Sequence, residues 1–320
     1  MPMIDKPLSE LLTYTGSTPC PADIDEFWDM RLAELDGHNA NPTLTKADFE
    51  CSFADCFDLY FTGTKGAKIY AKYIRPKNLT GKAPLILNFH GYSGNSGAWS
   101  NYLSYVSEGY CVAALDCRGQ GGLSQDVGGF VGTTFKCMFI KGVEGPAEDM
   151  LFVHQYLDTA LLAKITMGFP ETDETRVAAR GGSQGGGLTL ACASLVPEIK
   201  IATPWVPFLS DYKRVWDMDL DKDAYAEIKY YFTHFDPAHQ REDEFFTKLG
   251  YIDIQNLTKR IKAEVYMATG LMDTTCPPST QFAAFNKITS KKQYAIYHDF
   301  GHATPSFHSD LEFSFIRSRL

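Results

Sequence analysis

Short apolar runs separated by helix-like segments dominate the chain from residue 83 onwards. Four of the five runs end in Gly, Asp or His and the fifth ends in Ser, as buried strands of a parallel sheet do where they lead into loops. Residues 146–165 have the helical spacing of a crossover between such strands. The pattern predicts an α/β fold with an open, mostly parallel central sheet flanked by helices, in which ligands bind beyond the carboxyl ends of the strands. The five runs cover residues 83–91, 110–119, 176–183, 263–273 and 293–302.

The N-terminal part of the chain has a different pattern. Apolar residues at helical spacing between residues 23 and 35 predict a helix that packs outside the main body. Alternating and aromatic-rich runs in residues 50–76, around a glycine-containing turn, predict antiparallel strands at the edge of the sheet.

Two long intervals interrupt the alternation of strands and helices. Residues 118–145 are rich in glycine and predict a long loop with a short hairpin, whereas residues 210–258 carry aromatic helical segments that predict a small helical cap. Intervals of this length inside compact domains usually serve a function. Because the chain has no internal repeat, we expect a single domain over residues 1–320 with these two insertions.

The composition narrows the classes of partner. Of the 320 residues, 44% are hydrophobic, which is ample for a large core, and the net charge is −9 with the basic residues scattered. Nucleic acids and anionic membranes recruit clustered Lys and Arg, so neither is expected as a partner. The N-terminus lacks the basic start and the apolar stretch of a secretory signal, and the eight cysteines are interpreted as reduced thiols. Both features predict a cytoplasmic location.

Neither a metal nor a cofactor is predicted. The glycines of residues 116–122, DCRGQGG, have neither the Walker spacing nor the G-x-G-x-x-G arrangement of nucleotide-binding loops, and Arg118 is interpreted as a tether between surface and core. Two groups of potential metal ligands are incomplete, a cysteine pair without a second pair and three histidines that are merely close in sequence. They are Cys51 and Cys56, and His298, His302 and His308.

Residues 181–185, GGSQG, match the G-x-S-x-G pattern of a nucleophile elbow. An apolar VAA precedes the motif and a helix-like GLTLACASL follows, so strand, sharp turn and helix come in the required order. Glycines are needed at such a turn because side chains would collide with the adjoining strand and helix. Ser183 is therefore the candidate nucleophile, and the alternative is a glycine-rich turn with a solvent-facing serine.

A serine hydroxyl needs a base to accept its proton and an acid to orient that base. After an elbow of this kind the acid comes next in the chain and the histidine last. Asp273 follows one predicted strand and His302 follows the final one. His298 is interpreted as part of that strand, and Asp299 lies too close to His302 in sequence to orient it. The other acidic rivals are interpreted as the solvated face of the cap: Asp211, Asp217, Asp219, Asp221 and Asp223.

Acyl transfer also needs two donors aimed at the oxygen that becomes negatively charged. One is the backbone N–H of Gln184, directly after the candidate nucleophile, and the other is expected from the loop NFHGYSGNSG at residues 88–97. We assign it to the N–H of Tyr92. His90 precedes the serine in the chain and lies where this loop bends, so a structural part is assigned to it.

Together these motifs resemble the acetyl xylan esterase and cephalosporin C deacetylase family, carbohydrate esterase family seven. The resemblance spans nearly the whole chain and rests on HGYSGNSG, RGQGG, GGSQGGG, PFLSDYKRVW, GLMDTTCPPST and the terminal GH. It implies an α/β-hydrolase fold and removal of acetyl groups from small acetylated sugars, xylo-oligosaccharides and acetylated cephalosporins. It also implies a cytoplasmic homohexamer whose active sites face an internal cavity, with residues 118–145 as an inserted loop at the subunit contact.

The resemblance assigns the same site residues as the motifs. A small pocket near Tyr92 and Pro207 would explain the family's preference for acetyl groups. The family commonly has Glu directly after the catalytic histidine, where this chain has Ala303, so loop anchoring or subunit contacts there are expected to differ. The residues carried over are Ser183 as nucleophile, Asp273 as acid, His302 as base, and the backbone of Tyr92 and Gln184 as oxyanion donors.

Two alternatives remain open at this point. The first keeps the fold and changes the substrate, which makes the protein a broader short-chain carboxylesterase, a lipase-like enzyme or a peptidase. A peptidase usually carries a propeller domain or a large cap, and a lipase an apolar lid; neither pattern is obvious in the sequence. The second alternative is a non-catalytic binding protein with a hydrolase fold, although such proteins tend to lose a member of the triad.

Overall fold

A nine-stranded sheet forms the centre of the molecule. The computed structural model describes residues 4–127 and 138–320, and the strands are β1 Thr43–Lys46, β2 Ala54–Thr62, β3 Lys68–Pro76, β4 Ala83–Phe89, β5 Cys111–Leu115, β6 Thr172–Gly182, β7 Ile201–Trp205, β8 Glu264–Gly270 and β9 Lys292–Tyr297. Their order in the sheet is β1-β2-β3-β5-β4-β6-β7-β8-β9. Three neighbouring pairs are antiparallel: β1 with β2, β2 with β3, and β3 with β5. The remaining neighbours, from β5 through β4 to β9, are parallel.

The five apolar runs of the sequence form β4, β5, β6, β8 and β9, so the predicted open, mostly parallel sheet is confirmed. Nearly every side chain of β4 and β5 is buried, which explains why their sequences show no polar alternation. The sequence pattern did not predict β7, because it contains Pro204, a residue that removes a donor from the strand ladder. It nevertheless lies between β6 and β8.

Helices cover both faces of the sheet. They are α1 Leu8–Leu11, α2 Ile24–Ala33, α3 Leu103–Ser107, α4 Leu151–Met167, α5 Gln184–Leu195, α6 Tyr212–Asp217, α7 Ala226–Phe235, α8 Glu242–Leu249, α9 Ile254–Leu257, α10 Pro278–Lys287 and α11 His308–Arg317. The larger core lies under α4, α5 and α10, and a smaller core under α3 and α11. The predicted crossover helix is α4. Within the described ranges, no helix combines the length and the apolar character needed to cross a membrane.

The N-terminal elements pack directly onto this body. The helix predicted over residues 23–35 is α2, but the prediction that it packs outside the main body is wrong. Trp28 is fully buried in the larger core, and its indole N–H donates to the Tyr251 carbonyl at 3.0 Å. The predicted antiparallel strands at the edge are β2 and β3, with β1 beyond them.

The two long intervals flank the carboxyl edge of the parallel strands. Residues 118–127 and 138–145 form turns and bends without a strand, and the rest of the predicted hairpin lies outside the described residues. Arg118 is fully buried and donates to the Asp158 carboxylate at 2.6 and 2.7 Å, so this tether lies within the core. Residues 210–258 contain α6 to α9. The division into one domain with two insertions stays a prediction.

Candidate active site

Ser183 lies in a strained turn between β6 and α5. Its φ of 56° and ψ of −123° are unusual for a residue with a side chain. The backbone N–H of Ser183 donates to the Trp205 carbonyl at 3.0 Å and holds the turn on β7. A Cβ at Gly185 would lie 2.1 Å from the Phe89 carbonyl oxygen, and one at Gly181 would lie 2.6 Å from the Gly185 carbonyl oxygen. The glycines of the motif are therefore required by the close approach of β4 and α5.

The structure brings Ser183, His302 and Asp273 together. Ser183 Oγ lies 2.8 Å from His302 Nε2, and His302 Nδ1 lies 2.8 Å from Asp273 Oδ2. Asp273 is fully buried, and its other oxygen accepts hydrogen bonds from the N–H groups of Thr275 at 2.9 Å and Cys276 at 2.8 Å. The carboxylate therefore imposes the tautomer with the proton on Nδ1, which leaves Nε2 free to accept the serine proton.

His90 and His308 form hydrogen bonds that give them structural roles. His90 Nε2 accepts from the Cys117 N–H at 2.9 Å, and its Nδ1 donates to the Gly91 carbonyl at 2.7 Å. Burial lowers the pKa of His90, so a neutral ring links β5 to the loop after β4, in line with the structural part predicted for it. His308 is buried beside the Tyr297 hydroxyl at 2.9 Å. Among the residues described, no three His, Cys, Asp or Glu side chains are grouped to hold a metal.

The two predicted oxyanion donors lie on segments that are linked to each other. Gln184 is the first residue of α5, where backbone N–H groups lack partners within the helix. Tyr92 lies in the loop after β4. The side-chain amides of Gln120 and Gln184 pair at 2.9 and 3.0 Å, and Gln120 also accepts from the N–H of Ser93 at 2.9 Å. Gln120 thus fixes the spacing between the two segments that carry the predicted donors.

A cavity of about 640 Å³ opens at Ser183 and His302. This volume is within the range of sites for small molecules. Tyr92 lines the cavity, and Asp223 and Ala224 from the segment before α7 reach it. Other lining residues supply amides, hydroxyls, aromatic rings and one guanidinium group: Asn88, Asn95, Ser96, Asn101, Tyr102, Arg180, Trp205 and Thr275.

Pro207 is not part of this wall, so the prediction that placed it in the substrate pocket needs correction. The chain turns at Val206, whose φ is 39°, and buries Pro207 against α5, where a Cβ on Gly186 would lie 3.0 Å from Pro207 Cα. Trp205 lines the cavity instead, and a Cβ on Gly182 would lie 2.2 Å from its indole ring. The signal that could have identified Trp205 is an aromatic residue at the carboxyl end of a strand.

A parallel sheet with a strained serine after β6, an aspartate after β8 and a histidine after β9 defines a serine hydrolase of the α/β-hydrolase fold. Residues 1–319 match the acetyl xylan esterase (AXE1) family. The chain belongs to this family of carboxylic ester hydrolases, and the resemblance inferred from the motifs is confirmed.

Two acetyl xylan esterases of known structure match almost the whole chain. Acetyl xylan esterase 1 from Thermoanaerobacterium sp. JW/SL YS485 is 54% identical, with a TM-score of 0.97 over 98% of this chain and 99% of its own. The acetyl xylan esterase from Paenibacillus sp. R4 is 34% identical, with a TM-score of 0.94 over 98% and 100%. Acetyl esterase Axe7A from Xylanibacter ruminicola is 26% identical over 285 residues, 87% of this chain, and the chain spans 63% of the length of that relative.

Proposed function

We propose that the protein is a serine esterase that removes acetyl groups from small acetylated carbohydrates, such as xylo-oligosaccharides, and from cephalosporin C-type esters. The observation that carries the proposal is the pair of 2.8 Å contacts that joins Ser183 Oγ to His302 and His302 to Asp273. Membership of the acetyl xylan esterase family supports the choice of acyl group and sugar.

In the first step, Ser183 Oγ attacks the acetyl carbonyl carbon while His302 Nε2 takes the hydroxyl proton. The carbonyl oxygen becomes an oxyanion, which accepts hydrogen bonds from the backbone N–H groups of Tyr92 and Gln184. The imidazolium of His302 then gives its proton to the sugar oxygen as the carbon–oxygen bond to the sugar breaks. The products are a free sugar hydroxyl and an acetyl ester on Ser183.

In the second step, a water molecule enters the place that the sugar oxygen has left. His302 Nε2 takes a proton from this water, whose oxygen attacks the acetyl carbon. The second tetrahedral intermediate collapses, Ser183 Oγ recovers the proton from His302, and acetate leaves. Asp273 keeps its charge throughout and stabilises the imidazolium that forms twice in each cycle.

The cavity supports a small, polar substrate. Trp205 presents an aromatic ring, and Asn95 and Asn101 present amide groups, on walls that begin at Ser183. Small-molecule sites commonly combine aromatic surface with a few polar groups that fix orientation. An acetylated sugar offers both an apolar ring face and hydroxyl groups, so it matches this lining better than a long acyl chain does.

A substrate panel tests the proposal against the other activities of the fold. We expect kcat/KM to be highest for p-nitrophenyl acetate and to fall by about tenfold or more towards the octanoate, because the extra methylenes must fit beside the oxyanion site. Acetate release from acetylated xylobiose is expected, with no cleavage of a peptide anilide. Ser183→Ala protein, prepared in the same way, is the control for contaminating esterases.

The panel also separates the alternatives. A rate on the octanoate equal to that on the acetate would identify a broader or lipase-like esterase, and cleavage of the anilide would identify a peptidase. No turnover of any ester would favour a non-catalytic protein. Each of these results contradicts the proposed function.

Two further parts of the proposal rest mainly on the family resemblance. We place the enzyme in the cytoplasm and assemble it as a homohexamer, with residues 118–145 at the subunit contact. Buried free thiols, among them Cys111, Cys192 and Cys276, support a reducing compartment. Sedimentation equilibrium tests the assembly, and a monomer mass at micromolar concentration would contradict the hexamer.

A further inference from the structure

A buried carboxylate joins three separate segments beside the active site. Glu227 lies in the first turn of α7 and is 3% exposed. Its carboxylate accepts a hydrogen bond from the Tyr92 hydroxyl and three more from the backbone N–H groups of residues 138–140. The three backbone contacts measure 2.8 Å from Met138, 3.0 Å from Phe139 and 3.2 Å from Ile140.

Burial of the Glu227 carboxylate is costly, and these hydrogen bonds offset that cost. Burial raises the pKa of Glu227 to about 7, while the hydrogen bonds from Tyr92 and from residues 138–140 act in the opposite direction. A carboxyl group loses its hydration when it is buried, so its donors must replace that water. Removal of any one donor therefore leaves part of this charge uncompensated.

Tyr92 is fixed at the far end of its side chain by this carboxylate. Its ring packs edge-on against Phe208, with 5.7 Å between ring centroids, and its hydroxyl reaches Glu227. The next residue, Ser93, has a φ of 59°, a conformation that costs energy for a residue with a side chain. A strained loop of this kind keeps its shape only when its surroundings hold it.

We propose that Glu227 is a positioning residue for the oxyanion hole, which holds the Tyr92 backbone in place through the Tyr92 hydroxyl. This inference rests on the proposed function, in which the Tyr92 N–H is an oxyanion donor. The same carboxylate anchors residues 138–140 and the first turn of α7, and Asp223 and Ala224 just before that helix line the cavity. Glu227 thereby connects the loop of Tyr92, residues 138–140 and the segment before α7 that lines the cavity.

Loss of the contact between Glu227 and Tyr92 is expected to lower kcat with little change in KM. Oxyanion donors act mainly in the transition state, so their displacement slows the chemical step more than it weakens substrate binding. We expect Glu227→Gln to lower kcat for p-nitrophenyl acetate by about tenfold to a hundredfold, with KM within about twofold of the wild type. Glutamine retains one acceptor oxygen. Its NH₂ group cannot accept from the backbone N–H groups that the second carboxylate oxygen binds, so those contacts are lost.

The contact can also be removed from its other side. Tyr92→Phe deletes only the hydroxyl and leaves the three backbone bonds of Glu227 in place, so it separates the positioning effect from a folding defect. We expect a smaller loss in kcat of about threefold to tenfold. The double variant is expected to be less impaired than the product of the two single effects, since both changes break one contact.

Asp236, which lies like Glu227 in residues 210–258, provides a matched control. The residue is 6% exposed, and its carboxylate accepts from the N–H groups of Gln240 at 2.9 Å and Arg241 at 2.7 Å. Asp236→Asn removes a similar cap and is expected to lower the melting temperature while kcat stays within twofold. The second-order rate of labelling by a fluorophosphonate, whose phosphoryl oxygen occupies the oxyanion site, is expected to fall in the variants of Glu227 and Tyr92 only.

Unchanged kcat and labelling rates in Glu227→Gln and Tyr92→Phe would overturn the inference. So would losses that multiply independently, or losses that the Asp236→Asn variant reproduces. A wild-type protein that is inactive on every ester would contradict the proposed function instead, which keeps the two failures distinct.

Discussion

Replacement of Ser183 by alanine is expected to lower kcat for p-nitrophenyl acetate by at least about 10⁴-fold. The variant retains the cavity and His302 but has no atom that can form the acetyl intermediate. Alanine carries the same Cβ at a φ of 56° as serine does, so the strained turn persists and the melting temperature should stay close to that of the wild type. Steady-state kinetics and circular dichroism on the same preparation measure both.

Retained turnover in Ser183→Ala, after active-site titration excludes contaminants, would remove the nucleophile from the mechanism. A collapse of the fold would leave the kinetics uninformative, and in that case Ser183→Cys gives the decisive comparison. A thiol at this position retains a nucleophile beside His302 Nε2, and its alkylation by iodoacetamide is expected to abolish the remaining esterase activity.

Replacement of Asp273 by asparagine is also expected to cause a large fall in kcat. The asparagine oxygen can still accept from the N–H groups of Thr275 and Cys276, so its NH₂ group faces His302 Nδ1. That arrangement favours the tautomer with the proton on Nε2, which cannot accept the proton of Ser183. We expect kcat to fall by about 10⁴-fold with KM nearly unchanged.

Asp211→Asn is the control for this substitution, and it also tests a rival acid. Asp211 is as deeply buried as Asp273, so its interpretation as part of the solvated face of the cap is wrong. Its carboxylate accepts from the Tyr14 hydroxyl at 2.8 Å and from the Thr18 N–H at 2.9 Å, which ties down the N-terminal segment. We expect it to lower the melting temperature without a large change in kcat. If Asp211→Asn were the inactive variant and Asp273→Asn the active one, the assignment of the acid would be wrong.

The sequence predicted the parts of the site that depend on local patterns and on strand ends. The elbow of Ser183 is one contiguous motif, and its glycines are required by contacts within a few residues and with β4. Asp273 and His302 each follow a strand whose apolar run is visible in the sequence. Because the carboxyl ends of parallel strands meet at one edge, their convergence followed from the fold.

The remaining features depend on contacts between distant segments. Glu227 stands on an amphipathic helix where a carboxylate usually faces water, and its partner Tyr92 is 135 positions away. Trp205 was not predicted because the short strand that carries it contains Pro204. Helical spacing alone also does not reveal where α2 docks, and therefore does not show that Trp28 is buried in the larger core.

Mass spectrometry of a fluorophosphonate adduct can show directly whether Ser183 is the nucleophile. We expect a single phosphonylated residue, Ser183, in the tryptic peptide of residues 181–200, with activity lost in proportion to the labelled fraction and no label on Ser183→Ala. An adduct on another residue that accounts for the loss of activity, or full activity in enzyme whose Ser183 is completely labelled, would contradict this assignment.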